Sequence, residues 1–110
     1  MAIDVKRLFD VELPERLARN AEDARALGAT FQMNLHGLGE WNIDVSASGP
    51  SCRPGTGPAA CTITVFNPDD CQKLIESPTI AGPQLFITNK IKIAGNQLLA
   101  MKLGKVFGFR

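Results

Sequence analysis

The sequence predicts an α+β domain in which helices cover one face of a mostly antiparallel sheet. Two observations lead to this fold class: an amphipathic helical segment is followed by two alternating segments, and further helices alternate with two more short strands towards the C-terminus. The chain has 110 residues, 45% hydrophobic and 21% charged, which is enough for one hydrophobic core. We therefore expect a single domain over residues 1–110.

The N-terminal part is predicted to form one helix over residues 14–27. Pro14 suits the first helical turn, and Gly28 is a natural stop. Residues spaced by three and four positions give the segment one apolar stripe: Leu13, Leu17, Ala21, Ala24 and Leu27. A short extra turn is expected before it, over residues 4–9.

Two alternating segments, residues 29–36 and 40–47, predict a β-hairpin around Gly37-Leu38-Gly39 with one buried face. Residues 48–60 hold three glycines and three prolines and are expected to form a loop. A third strand is expected over residues 61–66.

The second half alternates helix and strand. Asn67 and Pro68 form a typical helix start, and this helix is expected to bury Cys71, Leu74 and Ile75 before Pro78 ends it. One or two helical turns are expected over residues 79–88, a strand over 90–94 with Ile91 and Ile93 inward, and a last helix over 97–107.

The last helix is apolar on more than half of its circumference, whereas a surface helix needs only a narrow stripe. Its main stripe contains Leu99, Leu103, Val106 and Phe107, and Leu98 and Met101 lie well off this stripe. Either loops or a partner subunit, as in a homodimer, cover the second side, or that side lines an apolar ligand cavity or touches a membrane. The sequence leaves open which side faces the sheet.

Charge is distributed unevenly along the chain. The net charge is +1, and the chain has no tyrosine and one tryptophan, which argues against a nucleic-acid partner. Residues 77–110 contain no acidic residue and five basic ones: Lys90, Lys92, Lys102, Lys105 and Arg110. These residues either dock the protein transiently on an anionic membrane or simply keep an edge strand and a helix soluble.

Few residues suggest catalytic chemistry. The single histidine, His36, excludes a multi-histidine metal site, and no phosphate-binding loop or nucleophile motif is present, so we expect neither a metal nor a cofactor. Cys61 and Cys71 are expected to be buried, and Cys52 to be exposed in the loop. The remaining candidates for an enzyme acting on a lipophilic substrate are His36, Asp44 and Cys52.

The chain shows no apolar segment long enough for a signal peptide or a transmembrane helix. We therefore expect a cytoplasmic protein.

From Cys61 onward the sequence resembles the sterol carrier protein type 2 family. The similarity lies in an ordered set of segments: Ala60-Cys61-Thr62-Ile63-Thr64, Pro83-Gln84 before Phe86, Lys90-Ile91-Lys92-Ile93-Ala94-Gly95-Asn96, and Leu99-Ala100-Met101-Lys102-Leu103. About 50 residues match well, and the first 60 agree only in the order of elements. Ile87-Thr88-Asn89 stands where the family usually has Phe-Gln-Gly, so the polar contact that the family's glutamine makes with ligand would fall to Thr88.

The resemblance implies a five-stranded sheet with helices on one face that enclose an apolar tunnel. It further implies a non-catalytic intracellular carrier of a lipid or another hydrophobic small molecule, such as a fatty acyl chain, an acyl-CoA, a phospholipid, a sterol or a quinone. The alternative is a protein-interaction or scaffold domain. The residues expected to bind ligand come from the second half of the chain: Phe86, Ile87, Thr88, Leu98, Leu99, Met101 and Leu103.

Overall fold

A five-stranded mixed sheet organises the protein, which we analysed as a computed structural model describing residues 4–76 and 78–108. The strands lie in the order β3-β2-β1-β4-β5. They span Ala29–Leu35 (β1), Gly39–Val45 (β2), Ser51–Pro54 (β3), Cys61–Val65 (β4) and Ile91–Gly95 (β5). Strands β1 and β4 pair in parallel and the other three pairs are antiparallel, which confirms the predicted α+β fold with a mostly antiparallel sheet.

The helices pack on one face of this sheet. They span Val5–Arg7 (α1), Leu13–Arg19 (α2), Ala21–Ala26 (α3), Pro68–Glu76 (α4), Pro78–Ile87 (α5) and Ala100–Gly108 (α6). A π-helical segment, Leu8–Glu12, joins α1 to α2, and a 3₁₀ segment, Gln97–Leu99, precedes α6. The expected turns over residues 79–88 are therefore a ten-residue helix, α5.

The predicted hairpin is present in the expected register. Met33 lies opposite Trp41 and Phe31 opposite Ile43, and all four side chains are buried under the helices. Because side chains alternate along a strand, the polar residues between them lie on the other face of the sheet. The two faces of the sheet therefore have opposite chemistry.

The expected single helix over residues 14–27 is instead two helices, and this prediction was wrong. The break falls at Asn20, whose φ of −114° and ψ of 37° are not helical. The Asn20 side-chain amide donates to the Arg16 carbonyl at 2.8 Å, so the side chain occupies an acceptor in the preceding turn. The extra turn expected near Asp4 is present, since the Asp4 carboxylate accepts from the Arg7 backbone N–H at 3.1 Å.

Residues 48–60 are not wholly a loop, because β3 forms within them. This strand pairs with β2 at the sheet edge, with Cys52 opposite Ile43 and Pro54 opposite Trp41. An edge strand tolerates proline, so the proline-rich composition hid the strand. Cys52 points into the core, where its thiol donates to the Phe9 carbonyl at 3.3 Å, so the prediction that Cys52 is exposed was wrong.

Burial also determines the acidity of the three cysteines. Desolvation raises the pKa of the Cys52 thiol to about 12, and the negative charge of Asp10 adds to this shift. Desolvation likewise raises the pKa of Cys71 to about 12 and raises that of Cys61. All three cysteines are free and buried, which confirms the prediction for Cys61 and Cys71.

On the polar face, Gln32 fastens the rest of the glycine-rich segment to the sheet. Its side-chain amide nitrogen donates to the Gly55 carbonyl at 3.1 Å and to the Asn34 side chain at 3.0 Å. Its carbonyl oxygen accepts from the Gly57 N–H and from the Asn42 side chain, both at 3.1 Å. Although Gln32 is only 5% exposed, its amide is therefore fully hydrogen-bonded.

In the second half, side-chain caps begin two helical segments as their sequences predict. The Asn67 side chain accepts from the Asp69 N–H at 2.9 Å, and the Asn96 side chain accepts from the Leu98 N–H at 3.1 Å. The helix predicted to start at residue 97 begins with the 3₁₀ turn. In β5, Ile91 is buried and Ile93 partly buried while Lys92 is exposed, as predicted.

Replacing Gln32 with leucine should destabilise the protein by about 1–3 kcal/mol, because the buried Gln32 amide makes four hydrogen bonds that leucine cannot make. Urea unfolding checks this value. Gln84→Leu, on the exposed side of α5, is the matched control and should change stability by less than about 0.5 kcal/mol. A change at Gln32 as small as at the control would contradict the assigned role.

The three thiols should not react with Ellman's reagent in the folded protein at about pH 8. A pKa of about 12 leaves Cys52 and Cys71 almost wholly protonated, and burial also raises the pKa of Cys61 and shields its thiol. After denaturation, three thiols per chain should react. One rapidly titrating thiol in the native protein would show that Cys52 is accessible after all.

Candidate ligand-binding cavity

Helix α6 is held tightly over its C-terminal half. Val106 and Phe107 are buried, and the Phe107 ring meets the Phe9 ring edge to face, with centroids 5.9 Å apart. Phe9 in turn stacks on Trp41 at 5.0 Å, and the Trp41 indole N–H donates to the Asp10 carboxylate at 2.7 Å. This row of aromatic rings connects α6 to the N-terminal helices and to the sheet.

The start of the α6 region is fixed by the Gly95-Asn96 turn. Gly95 has a φ of +85°, and a Cβ at this position would lie 2.4 Å from the Ala60 carbonyl oxygen. Only glycine fits this conformation at so close an approach. The same carbonyl accepts from the Asn96 N–H at 2.9 Å, so the residues that follow start from a defined position beside β4.

Between these two attachments lies a cavity of about 370 Å³. Its walls come from the helix-side face of β4 and β5 and from α4, α5, the 3₁₀ turn and α6. Its lining residues are Ile63, Leu74, Pro83, Phe86, Ile91, Ile93, Gln97, Ala100, Met101, Leu103 and Gly104. The gap exists because α6 presents Ala100 and Gly104, four residues apart on one side of the helix, where larger side chains would fill the space.

The lining is almost entirely apolar. Among its described residues, Gln97 alone has a hydrogen-bonding side chain, and none is charged. Gln97 is itself exposed and follows the Asn96 cap, so its amide lies where the cavity meets solvent. The volume falls within the range of small-molecule sites, about 300–1,000 Å³. Such a cavity suits an apolar group with a polar end at the opening.

Three of the residues expected to bind ligand line this cavity. Leu103 is buried at its base, whereas Phe86 and Met101 both line it and reach solvent. The structure thus brings together residues from α5 and α6 that lie 15 or more positions apart in the sequence.

The other four expected residues do not contribute to the cavity lining. Ile87 and Leu98 point to solvent, with exposures of 77% and 76%. Leu99 is partly buried and packs against the core. The Thr88 hydroxyl donates to the Gln84 carbonyl at 2.8 Å and so satisfies the end of α5. For the last helix, the stripe with Leu99 and Leu103 faces inward.

Several lining residues were missed by the sequence reasoning. Ile63 and Leu74 were expected only as core, and Ala100, Gly104 and Gln97 were given no role. The spacing of Ala100 and Gly104, beside a stripe of large apolar residues, is a signal that predicts a gap against the neighbouring layer. It cannot indicate which neighbour faces the gap, since that depends on the packing of α5 and β5.

The basic residues of the second half have different environments. The Lys102 ammonium donates to the Leu27 carbonyl at 2.8 Å, just after the end of α3. A cation at this point also interacts favourably with the α3 dipole. Lys90, Lys92 and Lys105 are exposed. Arg110 lies outside the described residues.

The side chains considered for catalysis lie apart. Asp44 pairs with Thr30 near one end of β1, whereas His36 follows the other end, about 20 Å further along the strand. Cys52 faces the core, on the side of the sheet opposite Asp44. His36 is exposed and its ring meets Phe66 edge to face at 5.3 Å. These three side chains do not form one site.

Asp44 has a local structural role. Burial raises its pKa, but hydrogen bonds from the Ser46 and Ser48 hydroxyls and the Ser46 N–H, together with the charge of Arg53, outweigh burial and lower the pKa overall. The carboxylate thus stays ionised and organises the turn after β2.

No group of three or more His, Cys, Asp or Glu side chains is placed to hold a metal ion in residues 4–76 and 78–108. Within the same ranges, each helix is too short or too polar to cross a bilayer.

Solved structures of the same fold include carriers and part of an enzyme. The apo form of Sterol Carrier Protein 2 from Yarrowia lipolytica is 24% identical, with a TM-score of 0.68. The alignment covers 94% of this chain and 84% of the Yarrowia protein. The complex of Sterol Carrier Protein-2 from Aedes aegypti with C16 fatty acid (palmitate) is 15% identical, with a TM-score of 0.68 and complete coverage, 100% of both chains. A stereoselective inverting sec-alkylsulfatase from Pseudomonas sp. is 19% identical over 97% of this chain but only 16% of its own, with a TM-score of 0.67.

Comparison with curated protein sequences gives no significant match. The family model described as the SCP-2 sterol transfer family matches residues 11–108, which include every strand and every residue that lines the cavity. The chain therefore belongs to the SCP-2 sterol transfer family.

Proposed function

We propose that this chain is a non-catalytic carrier that holds the aliphatic part of a lipid in the cavity between α6 and β5. The observation that carries the proposal is the lining itself: about 370 Å³ enclosed by apolar side chains and one glutamine. Such a site can bury the apolar part of a ligand, and its lining contains no reactive group. The carrier acts as one lipid-binding domain.

The size of the cavity suits a single chain. A volume of about 370 Å³ corresponds to roughly a dozen water-sized groups, and a methylene is of similar size. Each buried methylene contributes about 0.8 kcal/mol before the cost of ordering the ligand, so a dozen offer roughly 10 kcal/mol. Fatty acyl chains and the acyl parts of an acyl-CoA or a phospholipid fit this volume more readily than a whole sterol or quinone.

We propose that the ligand contacts three residues that the sequence predicted, Phe86, Met101 and Leu103. Ile91 and Ala100 are two further proposed contacts. Gln97 is positioned to hydrogen-bond the polar end of the ligand at the opening. Ile87 and Leu98 are exposed next to lining residues in the sequence. Leu99 packs against the core, and the Thr88 hydroxyl bonds to the Gln84 carbonyl of α5. The palmitate reported for the mosquito carrier of the same fold supports an acyl chain as cargo.

The separation of His36, Asp44 and Cys52 supports a carrier over an enzyme. The same fold within a larger sulfatase indicates that such a domain also serves as an accessory part of an enzyme. Three free, buried thiols support a reducing compartment and therefore the cytoplasm.

Besides the ligand, we propose an anionic membrane as a transient partner, with a homodimer or scaffold contact as the alternative. Transient contact with an anionic membrane is supported by the basic, acid-free second half, and a homodimer or scaffold contact by the exposed Leu98 and Met101. Size-exclusion chromatography with light scattering separates these, since only the second gives a larger particle in the absence of lipid.

Filling the cavity should block binding without unfolding the protein. Ala100→Leu adds three carbon atoms to the lining and should weaken binding of a fluorescent fatty acid by about 2 kcal/mol, roughly 30-fold, because about three ligand methylenes lose their place. Displacement titration and thermal unfolding together provide the measurement.

Ala26→Leu is the matched control, since Ala26 is an exposed helical alanine on α3 and is absent from the cavity lining. It should leave affinity unchanged. Equal affinity in both variants would show that the fatty acid binds elsewhere, and no binding by the unaltered chain would refute the carrier proposal.

A further inference from the structure

The three most exposed large apolar side chains of the described residues belong to, or directly follow, residues that line the cavity. Ile87, Leu98 and Met101 have exposures of 77%, 76% and 79%, well above the 47% of Phe66 and the 40% of Val11 elsewhere. Phe86, 42% exposed, completes this group, which we call the apolar rim. Phe86 and Met101 also line the cavity, Ile87 follows Phe86, and Leu98 follows the lining residue Gln97.

Helical spacing places a cation beside the rim. Leu98 and Met101 are three residues apart, and Lys105 follows Met101 by four, so the three side chains share one exposed side of the 3₁₀ turn and α6. Lys90 is exposed directly after the turn that ends α5. Residues 77–110, which contribute the whole rim, contain no acidic residue.

We infer that the apolar rim inserts into the surface of an anionic bilayer, so that the cavity opens directly onto lipid chains while Lys90 and Lys105 contact the head groups. This inference rests on the proposed carrier function and names the surface through which cargo enters and leaves. Exposed apolar side chains with lysines nearby are the combination that favours interfacial membrane binding.

The charge pattern favours a bilayer over a second copy of the chain. A twofold interface places the same patch against itself, so the rim of one copy would bring its lysines against the lysines of the other. Like charges without an acidic partner disfavour that contact, whereas anionic head groups neutralise them. Lys102 is not assigned to the membrane contact, because its ammonium donates a hydrogen bond to the Leu27 carbonyl.

Depth-dependent fluorescence tests insertion directly. The native Trp41 is buried and gives a constant background, so a tryptophan placed at Leu98 reports on the rim. Leu98→Trp should shift to shorter wavelength and be quenched by brominated lipid in vesicles containing about one-third phosphatidylglycerol. Val11→Trp is the matched control and should show neither effect, because Val11 is exposed in the π-helical segment beside β3, at the sheet edge opposite β5. Absence of quenching at Leu98, or equal quenching at both positions, overturns the inference.

Vesicle flotation separates the apolar and the charged contributions. Ile87→Ser with Leu98→Ser, at two rim residues outside the cavity lining, should lower vesicle binding by about 100-fold, since each inserted side chain contributes about 10-fold. Lys90→Gln with Lys105→Gln should weaken binding strongly at about 0.01 M salt and little at about 0.15 M. Both pairs are exposed, so the variants should fold like the parent.

The outcomes distinguish this inference from the carrier proposal. Rim variants that lose vesicle binding but bind the fluorescent fatty acid in solution support insertion. Rim variants that still bind vesicles overturn insertion and leave the carrier proposal intact. A lipid-free dimer that becomes monomeric on Ile87→Ser with Leu98→Ser also overturns it, because the rim would then be a protein interface.

Discussion

The cavity depends on how helix α6 meets the sheet. Its C-terminal half is packed closely through Phe107, Phe9 and Trp41, but its first turns present Ala100 and Gly104 to the sheet. Protein interiors are normally filled to the density of organic crystals, so a gap of this size represents stabilisation that the free protein forgoes. A bound alkyl chain would supply the missing contacts. The aromatic row keeps α6 from collapsing onto β5, and the small residues keep the space open.

The two faces of the sheet have different roles, one in stability and the other in ligand binding. On the polar face, the Gln32 and Asn42 side chains hold the glycine-rich segment in place through hydrogen bonds to the Gly55 and Pro58 carbonyls. The helix-side face has the opposite chemistry, and the cavity lies against its β4–β5 edge. The apolar rim would give cargo in this cavity an outlet towards lipid.

Much of the fold follows from local patterns. The hairpin, the inward Ile91 and Ile93, and the helix starts at Asn67 and Asn96 were predictable because alternation and capping involve near neighbours in sequence. Strand β3 was missed because its prolines are tolerated only at a sheet edge, and that position depends on the finished sheet. The break at Asn20 was missed because one side-chain hydrogen bond outweighs an otherwise continuous apolar stripe.

The cavity was predictable only in part, for a related reason. The last helix has more apolar residues than contact with the core requires, which indicates that some of them contact a ligand or a partner. Met101 and Leu103 could be predicted as ligand contacts for this reason. Which face looks inward depends on the anchoring of Phe107 and on the Lys102 bond to the Leu27 carbonyl, between residues 75 positions apart. Ala100 and Gly104 attract no notice in the sequence, because their contribution is the absence of side-chain volume.

Contacts between the ligand and individual methyl groups test the central claim most directly. With methyl-labelled protein and dodecanoate, nuclear Overhauser effects should connect the ligand chain to the methyl groups of Ile63, Ile91 and Leu103, which lie on opposite walls of the cavity. Effects confined to the exposed methyl groups of Ile87 and Leu98, or none at all with saturating ligand, would contradict a carrier that holds its cargo between α6 and β5.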